Sequence, residues 1–450
     1  MTTSSDFPML DGAWPILGHL GEMYRQFPSL CERGTKAHGP LFWIQGGPGA
    51  RQLMYTAPLA INLLKNPALS SSFYTEGFEA LLGNTLFAMD GDEHRLVRQA
   101  MTPPFTPQRV RASEIVDIVM ETVARRVDAW TRGGDFDVVV EIREMGLEVI
   151  FRILGVPTTD LAEWRTQYGR FLLAGIPSSG PGRGPIHWYV TRARRWLNER
   201  LGTMVDRLRK TAESSTLVGA VANGRGEDGQ LLDRQLVIDN LRILIFAGHE
   251  TSASTMTWAA LHLAASPKFQ ERAVSEIASG DDVAAIATDP ARFTFAEKMF
   301  REALRKYPVV HSVIRRVKAP IEIDDGVIPA GVLLNIPFVH LLRDRERFPA
   351  PDSFDPDRWA ERPRPGTLET TMFGGGPHFC LGYHVAILEG TLFGLLLARA
   401  LRKQRLMLSR IDGAPVPKPV YLPLTRPPSG IKLRLVPTRK TGEAHAHADQ

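Results

Sequence analysis

The sequence predicts a mostly helical fold with small β-sheets, organised as one domain. Three observations predict it. Most of the chain repeats its apolar residues at helical spacing, one such stretch is long enough to traverse the whole molecule, and strand-like alternation is confined to two hairpin signals. Neither an internal repeat nor a low-complexity linker divides the 450 residues.

Taken in order, LFWI and QLMY flank GGPGAR, a first hairpin with Gly46, Gly47, Pro48 and Gly49 in its loop. These glycines are no phosphate cradle, because the Gly-Lys-Ser/Thr ending is missing and a strand follows. Helical period then marks 92–102, 113–131, 141–154 and 188–211. The next helix runs from about Asp233 to Ser266, where Pro267 stops it, and its roughly 33 residues would span about 50 Å. Its run LRILIFAG is apolar nearly all round apart from Arg242, which marks a helix passing through the core. Residues 294–306 make a helix opened by Thr294 and Glu297 at capping-box spacing and closed by Pro308. A second hairpin is signalled by Ile321 and Ile323, a turn at Asp325-Gly326, and Val332 to Ile336. A last helix covers 380–402. Residues 1–15 are expected to be flexible and 438–450 disordered, leaving a domain from 16 to 437. His445 and His447 in that tail read as solvated side chains rather than a metal site.

Composition narrows the function. With 44% apolar and 23% charged residues the chain can bury a large core and is not of disordered type. Two cysteines, Cys31 and Cys380, exclude a disulfide-stapled module and any four-cysteine zinc or iron-sulfur site. Cys31 reads as an ordinary thiol on a helix face. The segment MTTSSDFPML lacks the features of a signal peptide, and no stretch approaches 18 uninterrupted apolar residues, so a cytoplasmic protein without a membrane anchor is expected. The net charge of +5 is spread among acids rather than massed, which argues against nucleic acid and for a docking face toward an acidic protein.

Cys380 sits in FGGGPHFCLG, just before an apolar helical run. A cysteine at a helix N-terminus is biased toward thiolate, and a thiolate is a ligand or a nucleophile. The glycines let backbone come close to a large flat object. The pattern F-x-x-G-x-x-x-C-x-G, matched by Phe373, Gly376, Cys380 and Gly382, resembles the haem-binding loop of the cytochrome P450 monooxygenases. The resemblance implies a P450 fold that holds haem b (iron protoporphyrin IX) between the long central helix and the cysteine loop, with Cys380 as the iron ligand.

In the long helix stands Ala247-Gly248-His249-Glu250-Thr251. A zinc-protease reading fails because position 253 is Ala, not His. A helix-interior glycine costs about 1 kcal/mol, and a threonine hydroxyl bonded to the carbonyl four residues back, here Ala247, loosens the ladder. The resemblance implies that Thr251 and Glu250 are the pair that relays protons to dioxygen beside Ala247 and the haem. Glu302 and Arg305 share a helix face, which alone is a weak signal. The family pattern brings Arg358, from FPAPDSFDPDRW, onto them as a buried network with a folding role. His94 and Arg98 lie one turn apart on a helix that Asp92 could cap. By resemblance they hold haem propionates together with His378 and Arg316, with the adjacent Arg315 left open as the alternative.

The four motifs follow family order. The family topology lines a substrate pocket with Phe73, Leu82, Leu86, Phe87, Phe246, Ala247, Thr251, Val309, Val310, His311, Val313 and Leu424. This mostly apolar wall suits a hydrophobic small molecule such as a steroid, terpenoid or fatty acid. The stretch AGIPSSGPGRGP, 174–185, would be a mobile lid over it. Electrons for splitting O2 must come from a separate ferredoxin or flavodoxin with its reductase, attracted to a basic surface near Arg95 and Arg98 or the helix after Cys380. The Glu250-Thr251 pair favours this reading over a peroxide-driven hydroxylase of the same fold or a non-catalytic haem-thiolate sensor.

Overall fold

A computed structural model describes residues 7–74, 83–173, 185–278 and 280–438. Leu82, most of the proposed lid and the two tail histidines lie outside the described residues. The helices that frame the site are α1 (Phe27–His38), α2 (Gly91–Met101), α3 (Ile115–Thr131), α4 (Val138–Ile153), α5 (Leu161–Leu172), α6 (Pro185–Lys210), α7 (Arg234–Ala265), α8 (Phe295–Lys306) and α9 (Tyr383–Gln404). Each matches a stretch of helical period, apart from α1 and α5, which the sequence reading does not single out.

Local signals set the ends. The Asp233 side chain accepts from the Leu236 N–H and opens α7, and Asp137 does the same for α4 through Val139 and Val140. The capping box of α8 is half formed. Thr294 accepts from the Glu297 N–H at 3.1 Å, but the Glu297 carboxylate turns instead to Arg301 and Arg362. Along α7 every residue from Val237 to Leu263 is buried or half-buried except Ala247. Arg242 is 0% exposed and pairs with Asp239 at 2.8 Å and with Asn198 of α6 at 2.6 Å.

A five-stranded sheet has the order β1-β2-β8-β5-β3, where β1 is Leu41–Gln45, β2 Arg51–Tyr55, β3 Leu69–Ser70, β5 Val313–Val317 and β8 Leu333–Ile336. A second sheet joins β4 (Phe136–Asp137), β10 (Lys432–Pro437) and β9 (Leu406–Arg410). The first hairpin forms as predicted, with Leu41 opposite Tyr55 and Gln45 opposite Arg51.

The second does not. Ile321–Ile323 (β6) pairs with Gly326–Ile328 (β7), Ile323 opposite Gly326, so the turn residues are Asp324 and Asp325. The run at 333–336 leaves to lie parallel to β2 and antiparallel to β5, because Leu334, Asn335 and Ile336 need cover on both faces. The N-terminal boundary also shifts. Within the supposedly flexible 1–15, Leu10 is buried and donates to the Trp43 carbonyl at 2.9 Å, adding chain to the edge of β1. Thr438, assigned to the disordered tail, donates to the Arg405 carbonyl at 2.9 Å. Cys31 of α1 lies in a small second core with Phe27, Leu30 and Tyr421, where burial pushes its thiol pKa far up.

The Glu302 carboxylate ties the pieces that support the cysteine loop. It is fully buried and accepts from Arg305 at 2.8 and 2.9 Å, from Arg358 at 3.0 Å, from the Trp359 indole at 3.1 Å and from the Asp355 N–H at 3.0 Å. Arg305 also donates to the carbonyls of Leu342 and Pro351. One carboxylate thus organises two guanidiniums and the whole 349–359 turn. Glu302→Ala should destabilise the protein by about 3–5 kcal/mol in urea unfolding, because two buried cations lose their counter-charge; a loss below about 1 kcal/mol would show the pair to be ornamental.

Burial also keeps histidines neutral. The pKa of His262, stacked on Phe354 at 3.7 Å, falls to about 3 through burial and then the charge of Lys306, and burial lowers that of His311 to about 4. The unfolded chain takes up these protons near pH 6.5, so the stability each contributes is complete above that pH and is lost as pH falls toward the folded values. Urea unfolding between pH 7 and 5 should therefore show stability dropping with acid, each histidine adding a slope of up to about 1.4 kcal/mol per pH unit. His262→Phe should flatten the slope by about one proton; an unchanged slope would reassign the effect.

Candidate functional site

The cysteine loop is shaped by close backbone approach. Gly374 and Gly376 have φ of +79° and +61°, and a Cβ at Gly376 would stand 2.1 Å from the Leu64 carbonyl oxygen, so no other residue fits there. The loop closes when the Cys380 N–H donates to the Phe373 carbonyl at 2.8 Å, while the Phe373 ring meets Tyr383 edge-on at 4.7 Å. Gly382 caps α9, which begins only at Tyr383, so Cys380 precedes the helix rather than opening it. Burial raises the thiol pKa, and the Gly382 N–H and the Arg98 charge only partly offset this. The sulfur therefore stays protonated unless a metal cation displaces the proton, contrary to the thiolate bias expected from sequence.

Beside the thiol lies a cluster of histidines and arginines. The His94 and His378 rings face each other at 4.2 Å. His94 is 3% exposed, and its Nε2 has no partner. Its pKa is down to about 4, first through burial and then through His378 and Arg98, with Arg315 adding to the effect. Arg315 is buried, donates to the Ile314 carbonyl at 3.0 Å, stands over the Tyr74 ring at 5.6 Å, and acts electrostatically on both histidines. Arg316 follows it on β5, and strand alternation places it on the opposite face. The sequence assigns Arg316 to this cluster with Arg315 as the alternative; the structure instead brings Arg315 to the histidines.

Asp92 is exposed and caps nothing; Asp90 holds the cap position of α2, yet its side chain accepts none of that helix's N–H groups. Instead Asp90 takes the Ser71 N–H at 3.0 Å and the Ser70 hydroxyl at 2.5 Å, and lies 3.7 Å from His378 Nε2. Asp90 and Tyr74 were missed from sequence. The only available signal for Asp90 was an acid directly before Gly91 at a helix start.

On α7 the Thr251 hydroxyl donates to the Ala247 carbonyl at 2.5 Å, as its spacing implied. Glu250 does not point with it. Its carboxylate pairs with Arg143 of α4 at 3.0 Å, about 100° round the helix from Thr251. Of the expected pocket residues, Phe87 and Val310 are 47% and 37% exposed, and Leu86, Phe246 and Leu424 are half-buried. Phe73 and Phe87 both pack on Tyr74. Val309 and Val313 are buried, with the Val309 carbonyl taken by the Thr425 N–H at 2.8 Å. His311 leaves the pocket: its ring stands edge-on to Phe27 at 5.2 Å in the second core, because its carbonyl is fixed by the Val339 N–H. Arg95 is engaged by Glu227 at 2.7 Å and Arg98 faces Cys380, so neither adds free charge to a docking face.

The cytochrome P450 family profile matches residues 8–157 and 192–434. A cytochrome P450 BJ-4 homolog of Sinorhizobium fredii is 32% identical, over 90% of this chain and 92% of that protein. The cyclooctat-9-en-7-ol 5-monooxygenase of Streptomyces melanosporofaciens is 26% identical, over 86% of this chain and 87% of its own. Among solved structures, retinoic acid bound cyanobacterial CYP120A1 superposes with a TM-score of 0.81 at 21% identity, covering 96% of this chain and 99% of that one. The family's cofactor fits the residues present: a cysteine thiol, an orphaned buried imidazole nitrogen, the buried Arg315 and the half-buried Arg98 answer a metal and two carboxylates, and Ala247 is the uncovered point of α7 between Val237 and Leu263. The chain belongs to the cytochrome P450 family and is a haem b-dependent monooxygenase.

Proposed function

We propose that this monooxygenase hydroxylates a largely apolar substrate of steroid, terpenoid or fatty-acid type, placed between Ala247 and the wall formed by Leu86, Phe87, Phe246, Val310 and Leu424. The observation that carries the reading is the exposure of Ala247 in a stretch of α7, Val237 to Leu263, that is otherwise covered, with the Thr251 hydroxyl bonded to the Ala247 carbonyl. The relative named for cyclooctat-9-en-7-ol favours the terpenoid member of that range.

Bound haem supplies the activation of O2, from which one atom enters the substrate and the other leaves as water. The protein's part is positional. Cys380 would ligate the iron. His94, Arg98, Arg315 and His378 hold the propionates, whose two charges need paired donors in a poorly solvated cradle. Thr251 holds and releases a hydroxyl proton at its Oγ1, now parked on the Ala247 carbonyl. Glu250 brings protons from the solvent side once its carboxylate leaves Arg143, which is half exposed. The apolar wall keeps bulk water from the reaction. Electrons arrive from a separate ferredoxin or flavodoxin with its reductase, in a cytoplasmic setting.

Thr251→Ala removes the hydroxyl bonded to the Ala247 carbonyl. With a surrogate ferredoxin pair and a bound substrate, product per electron pair should fall roughly tenfold, with hydrogen peroxide accounting for the difference, a modest share of what a positioned proton donor contributes. Unchanged coupling would remove Thr251 from the reaction. Full activity with added peroxide and no redox partner would instead favour the peroxide-driven reading.

A further inference from the structure

A cradle meant only to receive two carboxylates should contain cations and neutral donors. This one also contains an acid. Asp90 occupies the cap position of α2, where an aspartate ordinarily stabilises the first turn by accepting its N–H groups, but it makes no such bond. Its carboxylate reaches back across the cradle to the Ser71 N–H at 3.0 Å and the Ser70 hydroxyl at 2.5 Å, and sits 3.7 Å from the Nε2 of His378. Ser71 closes the triangle, its hydroxyl 3.3 Å from the same nitrogen, and both serines are buried. Facing this group are His94, packed on His378, and the guanidiniums of Arg98 and Arg315. Burial works against the charge on Asp90, yet the donors of His378, Ser70 and Ser71 hold its carboxyl far below the usual range. A negative charge therefore persists where the propionates, also negative, are to be bound.

We propose that Asp90 is a fixed negative charge built into the cofactor cradle, which fixes the edge of His378 turned toward it and lowers the reduction potential of the bound haem. This rests on the reading that His94, Arg98, Arg315 and His378 hold the propionates. Reduction of the iron adds one electron and breaks no bond, so a neighbouring negative charge in a poorly screened interior disfavours the reduced form. The two arginines supply two positive charges against two propionates, and Asp90 tips the balance negative. It acts through His378 and through space and is a positioning residue rather than a catalytic one.

The test is a spectroelectrochemical titration of the holoenzyme, with dithionite as reductant and ferricyanide as oxidant. Asp90→Asn keeps the shape and an acceptor oxygen but removes the charge; at any fixed applied potential the ferrous-to-ferric ratio should rise severalfold. Asp90→Glu, which keeps the charge, should stay near the parent. A merely structural Asp90 would give the reverse: a potential unmoved in Asp90→Asn, with any defect confined to thermal stability, and that result overturns the proposal. The underlying cradle is checked separately by the rate of haem transfer to apomyoglobin. Arg315→Leu should speed it at least severalfold and Arg316→Leu leave it unchanged; if only Arg316→Leu speeds it, the cradle reading fails whatever Asp90 does.

Discussion

The constraint on which the rest depends is that, in the proposed cofactor site, a sulfur and two carboxylates would all be held as anions in a place where burial opposes charge. Burial alone raises the pKa of Cys380, and the nearby Gly382 N–H and Arg98 fall short of reversing it. On the proposed reading the iron would complete the site, so that thiolate and metal are created together. The same logic governs the other side of the cradle. His94 carries an unpaired nitrogen and is kept neutral first by burial and then by His378 and Arg98, an arrangement that incoming carboxylates would relieve. The residues around the site are unsatisfied in a way that haem satisfies, and this is why an orphaned buried nitrogen carries information about the cofactor.

Holding such a site open requires rigidity, and the protein obtains it from buried ion pairs centred on single carboxylates. Glu302 gathers Arg305, Arg358 and the turn after Pro349, and Glu297 gathers Arg301 and Arg362 one turn earlier on the same helix. Arg301 also meets the Tyr383 hydroxyl at 3.3 Å, which connects α8 to the first residue of α9 and hence to the cysteine loop. Such pairs cost desolvation and are weak stabilisers compared with apolar packing. What they provide is geometry: a planar guanidinium admits few arrangements of its partners, so the loop before Cys380 has one place to be.

How far the sequence could be read follows from the range over which each signal acts. Helices with a clear apolar period, such as α7 and α8, were legible to within a residue or so because their cause is local. The hairpin at 321–336 was misread because the run at 333–336 is covered on both faces, and only the surrounding sheet decides its partner. His311 illustrates the same limit, since a backbone bond to Val339 turns its ring toward Phe27. Within the site, Cys380, His94 and Thr251 could be found from motifs, whereas the choice between Arg315 and Arg316 depends on which face of β5 looks inward, and the turn of Asp90 away from its helix depends on two serines 20 residues earlier.

Glu250 and Thr251 show how a helix can separate two functions with one residue of spacing. Neighbours on a helix point about 100° apart, so the pair cannot face the same place at once. Thr251 looks into the gap at Ala247, and Glu250 looks toward Arg143 and, through it, toward water. A carboxylate reachable from solvent and a hydroxyl bonded back to its own helix are thereby placed on adjacent residues.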